Sequence, residues 1–168
     1  MEYISSDTNV WIDFITIQKT ELPFRLPYAY LMSRDAVEDE LLSPPGISEE
    51  LLSYGLIPVD ITEDEFLMAE RFGILYLRLS VYDRVALAIA KCRKIVLLTG
   101  DRALRQAAKR ENVPILGTIG LLDKLLQGHF ITSEEYCDCL HDWERLNGGT
   151  IRLPKDELTA RLRRFPNQ

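Results

Sequence analysis

Residues 80–101 read Ser-Val-Tyr-Asp-Arg-Val-Ala-Leu-Ala-Ile-Ala-Lys-Cys-Arg-Lys-Ile-Val-Leu-Leu-Thr-Gly-Asp, and this stretch decides the fold class. Ser80 has the chemistry of a helix N-cap, and Asp83 three residues later completes a capping-box pattern with Asp in place of Glu. Val85, Leu87, Ala88 and Ile89 then predict a helix over 81–92 that is buried on most sides. Residues 95–99 form an unbroken β-branched and leucine run, the pattern of a central parallel strand covered on both faces. Gly100-Asp101 breaks that run, and an amphipathic helix follows over 102–110. Helix, buried strand and helix in succession are the repeat of a parallel α/β sheet.

Toward the N-terminus the same alternation continues. A short buried strand over 3–6 ends at Asp7, and a helix over 8–15 places Trp11 and Phe14 on its inner side. The two prolines in 22–27 predict an extended connection, and 28–32 is apolar enough for a second strand. Ser33 caps a short helix carrying Val37, Leu41 and Leu42, which Pro44-Pro45-Gly46 stops. Ser48 opens another helix that Gly55 closes, and a third strand covers 57–61. Thr62-Glu63-Asp64-Glu65 is a capping box for a helix to about Phe72, while 73–79 reads equally as helical turn or loop.

Toward the C-terminus, a strand over 113–116 leads through Gly117-Thr118 into a helix ending near Gln127. Thr132 to Glu135 repeats the capping box for a helix bearing Tyr136, Leu140 and Trp143, ended by Asn147-Gly148-Gly149. Pro154 is expected at the first position of a final helix over 155–164. The expected architecture is α/β, with a mainly parallel central sheet between two helical layers. Residues 1–127 form that domain, and 128–168 form a helical C-terminal extension packed on it. Ligands of such sheets bind outside the carboxyl ends of the strands, where Asp7 and Asp101 both fall.

Composition narrows the function classes. The 168 residues are 46% hydrophobic and 27% charged, a globular balance. Cys92, Cys137 and Cys139 are odd in number, which disfavours a disulfide framework and points to a reducing cytoplasm. The first residues, MEYISSDTNVWIDF, lack the basic segment of a signal peptide, and no apolar run is long enough for a membrane span. The net charge of −6 is unlike that of a nucleic-acid binder, yet the charge is divided. Residues 1–90 hold 6 Lys/Arg against 16 Asp/Glu, whereas 91–168 hold 14 against 10. A metal site beside a phosphate-binding rim produces such asymmetry, and so do unrelated solvated helix faces.

Four carboxylates stand out: Asp7, Glu40, Asp83 and Asp101. Carboxylates from scattered segments meeting at one sheet edge suit hard divalent ions, which take oxygen ligands. Such ions lower the pKa of a bound water and stabilise charge on a scissile phosphate. Each acid also has a structural reading: Asp7, Asp83 and Asp101 as helix caps, and Glu40 as a solvated helix residue beside Glu38 and Asp39. No Ser–His–Asp or Cys–His pattern, Walker loop or GxGxxG turn competes. Cys137, Cys139, His141 and His129 do not have the spacing of a structural zinc site, and Cys137 is expected to face inward.

In order and surroundings these motifs resemble the PIN-domain family. Asp7-Thr8-Asn9-Val10 resembles its strand-ending Asp motif, and Glu40-Leu41 its Glu–Leu pair. Asp83 opens a long Ala/Leu-rich helix, and Leu97-Leu98-Thr99-Gly100-Asp101 supplies the strand running into T-x-D. The resemblance covers roughly 3–127 and implies a PIN-like α/β/α fold and a Mg²⁺- or Mn²⁺-dependent endoribonuclease acting on single-stranded RNA. In that family such a protein is frequently the toxin of a toxin–antitoxin pair, so an antitoxin protein is an implied partner. It further implies Asp7, Asp83 and Asp101 as metal ligands, with Glu40 completing the acidic pocket, or Glu38 in another helix register. Asn9 and Thr99 would orient ligands. Arg84, Arg102 and Arg105 are RNA-contact candidates. Where many relatives carry one more acid, this chain has Arg102-Ala103-Leu104-Arg105. The alternative is therefore a catalytically silent PIN-like module that binds RNA or a protein partner. Aromatic residues between Phe24 and Tyr30 suggest a surface for homodimerisation.

Overall fold

The computed structural model describes residues 1–167. Its five strands are β1 (Glu2–Ser6), β2 (Tyr28–Ser33), β3 (Ile57–Val59), β4 (Val96–Leu98) and β5 (Ile115–Leu116). They form one sheet in the order β3-β2-β1-β4-β5, with every pairing parallel. The helices are α1 (Thr8–Thr16), α2 (Arg34–Glu40), α3 (Ile47–Tyr54), α4 (Glu63–Leu75), α5 (Val81–Arg93), α6 (Arg102–Arg110), α7 (Thr118–Gln127), α8 (Ser133–Leu146) and α9 (Lys155–Leu162). No helix among the described residues is long and apolar enough to cross a membrane.

The sheet separates two apolar layers because successive strand side chains point to opposite faces. Leu97 packs with Phe72, Leu87, Leu104 and Ala108, beneath α4, α5 and α6. Leu98 and Ile4 point the other way, into the larger core containing Trp11, Phe14, Leu122 and Trp143. Trp11 stacks on Phe24 at 5.2 Å between ring centroids and meets Tyr30 edge-on at 5.2 Å. Tyr30 is fully buried, and Phe24 and Tyr28 pack against the same core while staying half-buried, so this aromatic run serves core packing more than the exposed patch expected of it.

All three capping boxes form, at Thr62–Glu65, Ser80–Asp83 and Thr132–Glu135. The segment expected to be extended contains a 3-10 turn, Leu22–Arg25, because Pro23 sits among the first residues of a turn that needs no amide there. Gly46, in the left-handed region at φ 84°, precedes α3 in place of Ser48. Leu42 lies beyond α2 and is exposed, while Leu41 is buried. Helix α4 runs on to Leu75, which settles part of 73–79 as helix. Pro154 caps α9 from outside instead of occupying its first turn.

Both α8 and α9 join the larger core through Tyr136, Cys137, Cys139, Leu140, Trp143 and Leu158. Cys139 is buried as well as Cys137, both within the larger core, and α8 packs against both α7 and α9. Arg161 of α9 forks onto Asp123 of α7 at 2.8–3.0 Å, and Tyr136 donates to the same carboxylate at 2.6 Å.

Candidate functional site

Strand β1 lies between β2 and β4, so the chain winds outward in one direction through β2 and β3 and in the other through β4 and β5. The gap beyond the carboxyl ends of β1 and β4 is thus the topological switch point, where parallel α/β sheets place their ligands. Asp7 follows β1 directly, and its amide donates to the Leu98 carbonyl at 2.9 Å, extending the ladder by one residue. Beneath it, Trp11 Nε1 donates to Ser6 Oγ at 3.1 Å and Ser6 donates to the Leu31 carbonyl at 3.0 Å, fixing the strand end against the aromatic core.

Thr99 joins the two strand-end acids. Fully buried, it donates from Oγ1 to Asp7 Oδ2 at 2.9 Å and accepts the Asp101 amide at 3.1 Å. Asp101 Oδ1 caps α6 by accepting the Leu104 amide at 2.7 Å. Helix α5 packs across β1, β2 and β4. Helices in a parallel α/β unit run opposite to the strands, so its first turn carries Asp83 to the same edge. There Asp83 Oδ2 accepts the Ser80 amide at 2.9 Å. Glu40, at the exposed end of α2, accepts the Thr8 hydroxyl at 2.7 Å. Its neighbour Asp39 is bonded by the Tyr82 hydroxyl, and Glu38 is exposed.

Burial pushes the Asp7 carboxyl up to about 7; Asp83 adds to the rise, the Thr99 bond opposes it, and Asp101 and Glu40 raise it further. All four acids selected from the sequence therefore share one electrostatic neighbourhood. The Asp83 carboxyl is raised too, first by burial and against its bonds to Ser80. Two structural roles foreseen for these acids are real, since Asp83 and Asp101 each commit one oxygen to a helix start. Asp7 is different: it precedes α1 yet its side chain makes no cap bond.

Asp7 Oδ1, Asp83 Oδ1 and Asp101 Oδ2 accept no protein hydrogen bond among the described residues. An all-oxygen donor set with excess negative charge fits a hard divalent ion chemically. As the side chains stand, no three His, Cys, Asp or Glu among the described residues are grouped closely enough to hold one.

Asn9 is exposed and lines a cleft with Asp101, Arg102 and Asp13. Asp13 was not singled out by its sequence context. It is buried, accepts the Thr118 hydroxyl at 2.6 Å, and is pushed up to about 6 by burial against that bond. Its only sequence signal is its position one helical turn beyond Asn9. The three arginines separate: Arg102 and Arg105 line one cleft, while Arg84 lines another on the α4 side. Arg84 Nε donates back to the Ser80 carbonyl at 3.2 Å, and its guanidinium lies against Gly73, whose missing side chain makes the room.

No curated protein and no solved structure shows significant similarity to the chain. A family model described as a PIN domain matches residues 3–166, nearly the whole length. With the all-parallel sheet and the acids at its switch point, that match establishes that the chain belongs to the PIN-domain family.

Proposed function

We propose that the chain is a divalent-metal-dependent endoribonuclease hydrolysing phosphodiester bonds of single-stranded RNA. PIN domains are generally nucleases. The observation that carries the reading here is the meeting of Asp7 and Asp101 at the switch point, both bonded to Thr99, with Asp83 and Glu40 near enough to raise the buried Asp7 carboxyl further. A protein gains nothing in stability from that arrangement, and a cation relieves it.

In this reading Asp7, Asp83 and Asp101 would hold Mg²⁺ or Mn²⁺, and Glu40 completes the acidic pocket. A bound divalent ion supplies water activation and neutralises charge on the scissile phosphate. The chain's own residues provide order. Thr99 ties Asp7 to the Asp101 loop, Thr8 holds Glu40, and the two helix caps fix one oxygen of Asp83 and of Asp101 while leaving the other available. Asn9 faces the approach to Asp101, and no protein nucleophile is required. A cytoplasmic setting goes with this reading on the cysteine count, and restraint by a separate antitoxin protein on the family resemblance alone.

The test is cleavage of a mixed-sequence single-stranded RNA with Mn²⁺, Mg²⁺ or EDTA, beside Asp7→Asn. Metal-dependent cleavage lost in the variant is the expected result. No cleavage with either metal, from folded and inhibitor-free protein, would transfer the proposal to a silent PIN-like module. Two observations favour that second reading: the acids are not grouped as a ligand set, and Phe66, Leu67, Ile74 and Leu77 are exposed along and just beyond α4, as a protein-binding face would be.

A further inference from the structure

The loop between α8 and α9 is built to project one arginine. Asn147 Nδ2 donates to the Leu153 carbonyl at 2.9 Å and its Oδ1 accepts the Leu153 amide at 2.9 Å, so one side chain clamps both ends of the loop. Inside the clamp, the Gly148 amide donates to the Ile151 carbonyl at 2.9 Å, and Gly148 takes φ +98°, which glycine adopts without strain. Ile151 and Leu153 are buried, and the residue between them, Arg152, is exposed. Alternation about an anchored backbone thus turns Arg152 outward as surely as a strand would.

Arg152 faces α6 across a cleft of about 560 Å³. Arg102, Arg105 and Lys109 line the opposite wall with Gln106, at helical spacings of three and four, in a row about 10 Å long. No Asp or Glu lines this cleft, and none of its four cations forms an ion pair among the described residues. In a chain of net charge −6, four cations on one cleft with no acid among its lining residues are a local concentration of positive charge. The cleft continues into the one that holds Asn9 and Asp101, with Gly100, Arg102, Arg152 and Leu153 common to both. Neither cleft is lined by an aromatic ring.

We infer that this cleft seats the phosphate backbone of a single RNA strand leading to the acidic edge, and that Arg152, supplied by the segment after α8, closes its outer wall. The inference deepens the nuclease reading and rests on it for the identity of the strand. Guanidinium forks suit phosphate oxygens, and unpaired cations retain their charge for them. With no ring for bases to stack on, the contacts are to backbone, so binding along this wall is indifferent to sequence. Asn147 is a positioning residue: it touches no strand and holds the loop that presents Arg152.

The test reads binding apart from cleavage, by fluorescence anisotropy of a labelled mixed-sequence oligoribonucleotide in EDTA, between about 50 and 200 mM salt. Each phosphate contact contributes about 0.7 to the slope of log affinity against log salt for a single strand. Arg152→Ala should flatten the slope by about 0.7, and Arg152→Ala with Lys109→Ala by about 1.4. Asn147→Ala should weaken binding less than Arg152→Ala does, and a sequence-scrambled strand should bind each protein equally. Arg78→Ala with Lys94→Ala removes two exposed cations elsewhere and should leave the slope unchanged.

Wild-type-like slopes in the cleft variants, or equal flattening in the Arg78/Lys94 control, would overturn the inference. Polyglutamate competing as well as RNA would overturn it too, giving the cleft to an acidic protein segment. The two proposals fail separately. Flattened slopes without cleavage in any metal would keep the cleft and remove the nuclease, whereas cleavage with unaltered binding by the variants would do the reverse.

Discussion

Two buried aspartates at the same end of the molecule have almost the same immediate surroundings and very different neighbourhoods. Asp7 accepts a bond from Thr99 and Asp13 one from Thr118, and burial is the largest reason that each carboxyl is raised. Around Asp13 burial and the threonine bond are the whole account, and the carboxyl stands at about 6. Its bond ties α1 to α7, and the Trp143 indole donates to the Asp13 backbone carbonyl at 2.9 Å, bringing in α8. Asp7 is buried more deeply still and has three other carboxylates besides, and stands at about 7. Burial with one hydroxyl therefore suffices to build an acid into this fold, and the crowding at Asp7 exceeds what building requires.

The contrast can be broken in four ways. The largest effect should appear in RNA cleavage with Mn²⁺. Asp7→Asn is expected to lose roughly a thousandfold, on the order of 4 kcal/mol of transition-state stabilisation, while Asp13→Asn stays close to wild type. Equal losses would erase the distinction between the two acids.

Next comes pH. Both carboxyls have folded-state pKa values above the ordinary 3.8, so between those values the folded protein binds more protons than the unfolded one. Their contribution is therefore favourable at low pH and is lost as pH rises from about 4 through about 6 for Asp13 and about 7 for Asp7. For Asp7 the loss is on the order of 2–4 kcal/mol in the metal-free protein. Urea denaturation at pH 5 and pH 8 in EDTA should show Asp7→Asn removing most of that decline and Asp13→Asn the lesser part. A decline untouched by Asp7→Asn would contradict the crowding account.

Saturating Mn²⁺ should then stabilise wild type and Asp13→Asn alike, by about 2.7 kcal/mol at a hundredfold excess over Kd, and leave Asp7→Asn unmoved in a thermal melt. Last, Asp13→Ala should cost roughly 1–3 kcal/mol in denaturant titrations, because it strands the buried Thr118 hydroxyl without its acceptor. Asp13→Asn, which can still accept from Thr118, should cost clearly less.

The sheet was legible because its cues are local. The apolar run before Thr99, the serine and threonine caps, and the acid directly after β1 each announce an element within a few residues. What escaped depends on partners distant in sequence. Asp13 looks like an ordinary polar position on a short helix, and only the arrival of Thr118 and Trp143 buries it. The rings from Phe24 to Tyr30 looked exposed because nothing nearby says that Trp11 will cover them. Cys139 is buried on a helix that packs against both α7 and α9, which the periodicity of α8 alone does not reveal. Arg152 carries no motif; its orientation follows from a clamp made by Asn147. The four acids could be picked out as a set, but not the fact that Thr99 joins two of them.

The hydrogen bond from Thr99 to Asp7 spans 92 residues of sequence, and that from Ser5 to the Ala86 carbonyl spans 81. Long-range parallel pairings close slowly, because the chain entropy of a large loop must be surrendered before the contacts form. A ribosome releases Asp7 well before Asp101, and until β4 docks beside β1 the strand end lacks Thr99 and Asp101. An RNA-cutting centre assembled in this order would stay incomplete until synthesis had passed Asp101, a delay that resides in the connectivity of the chain.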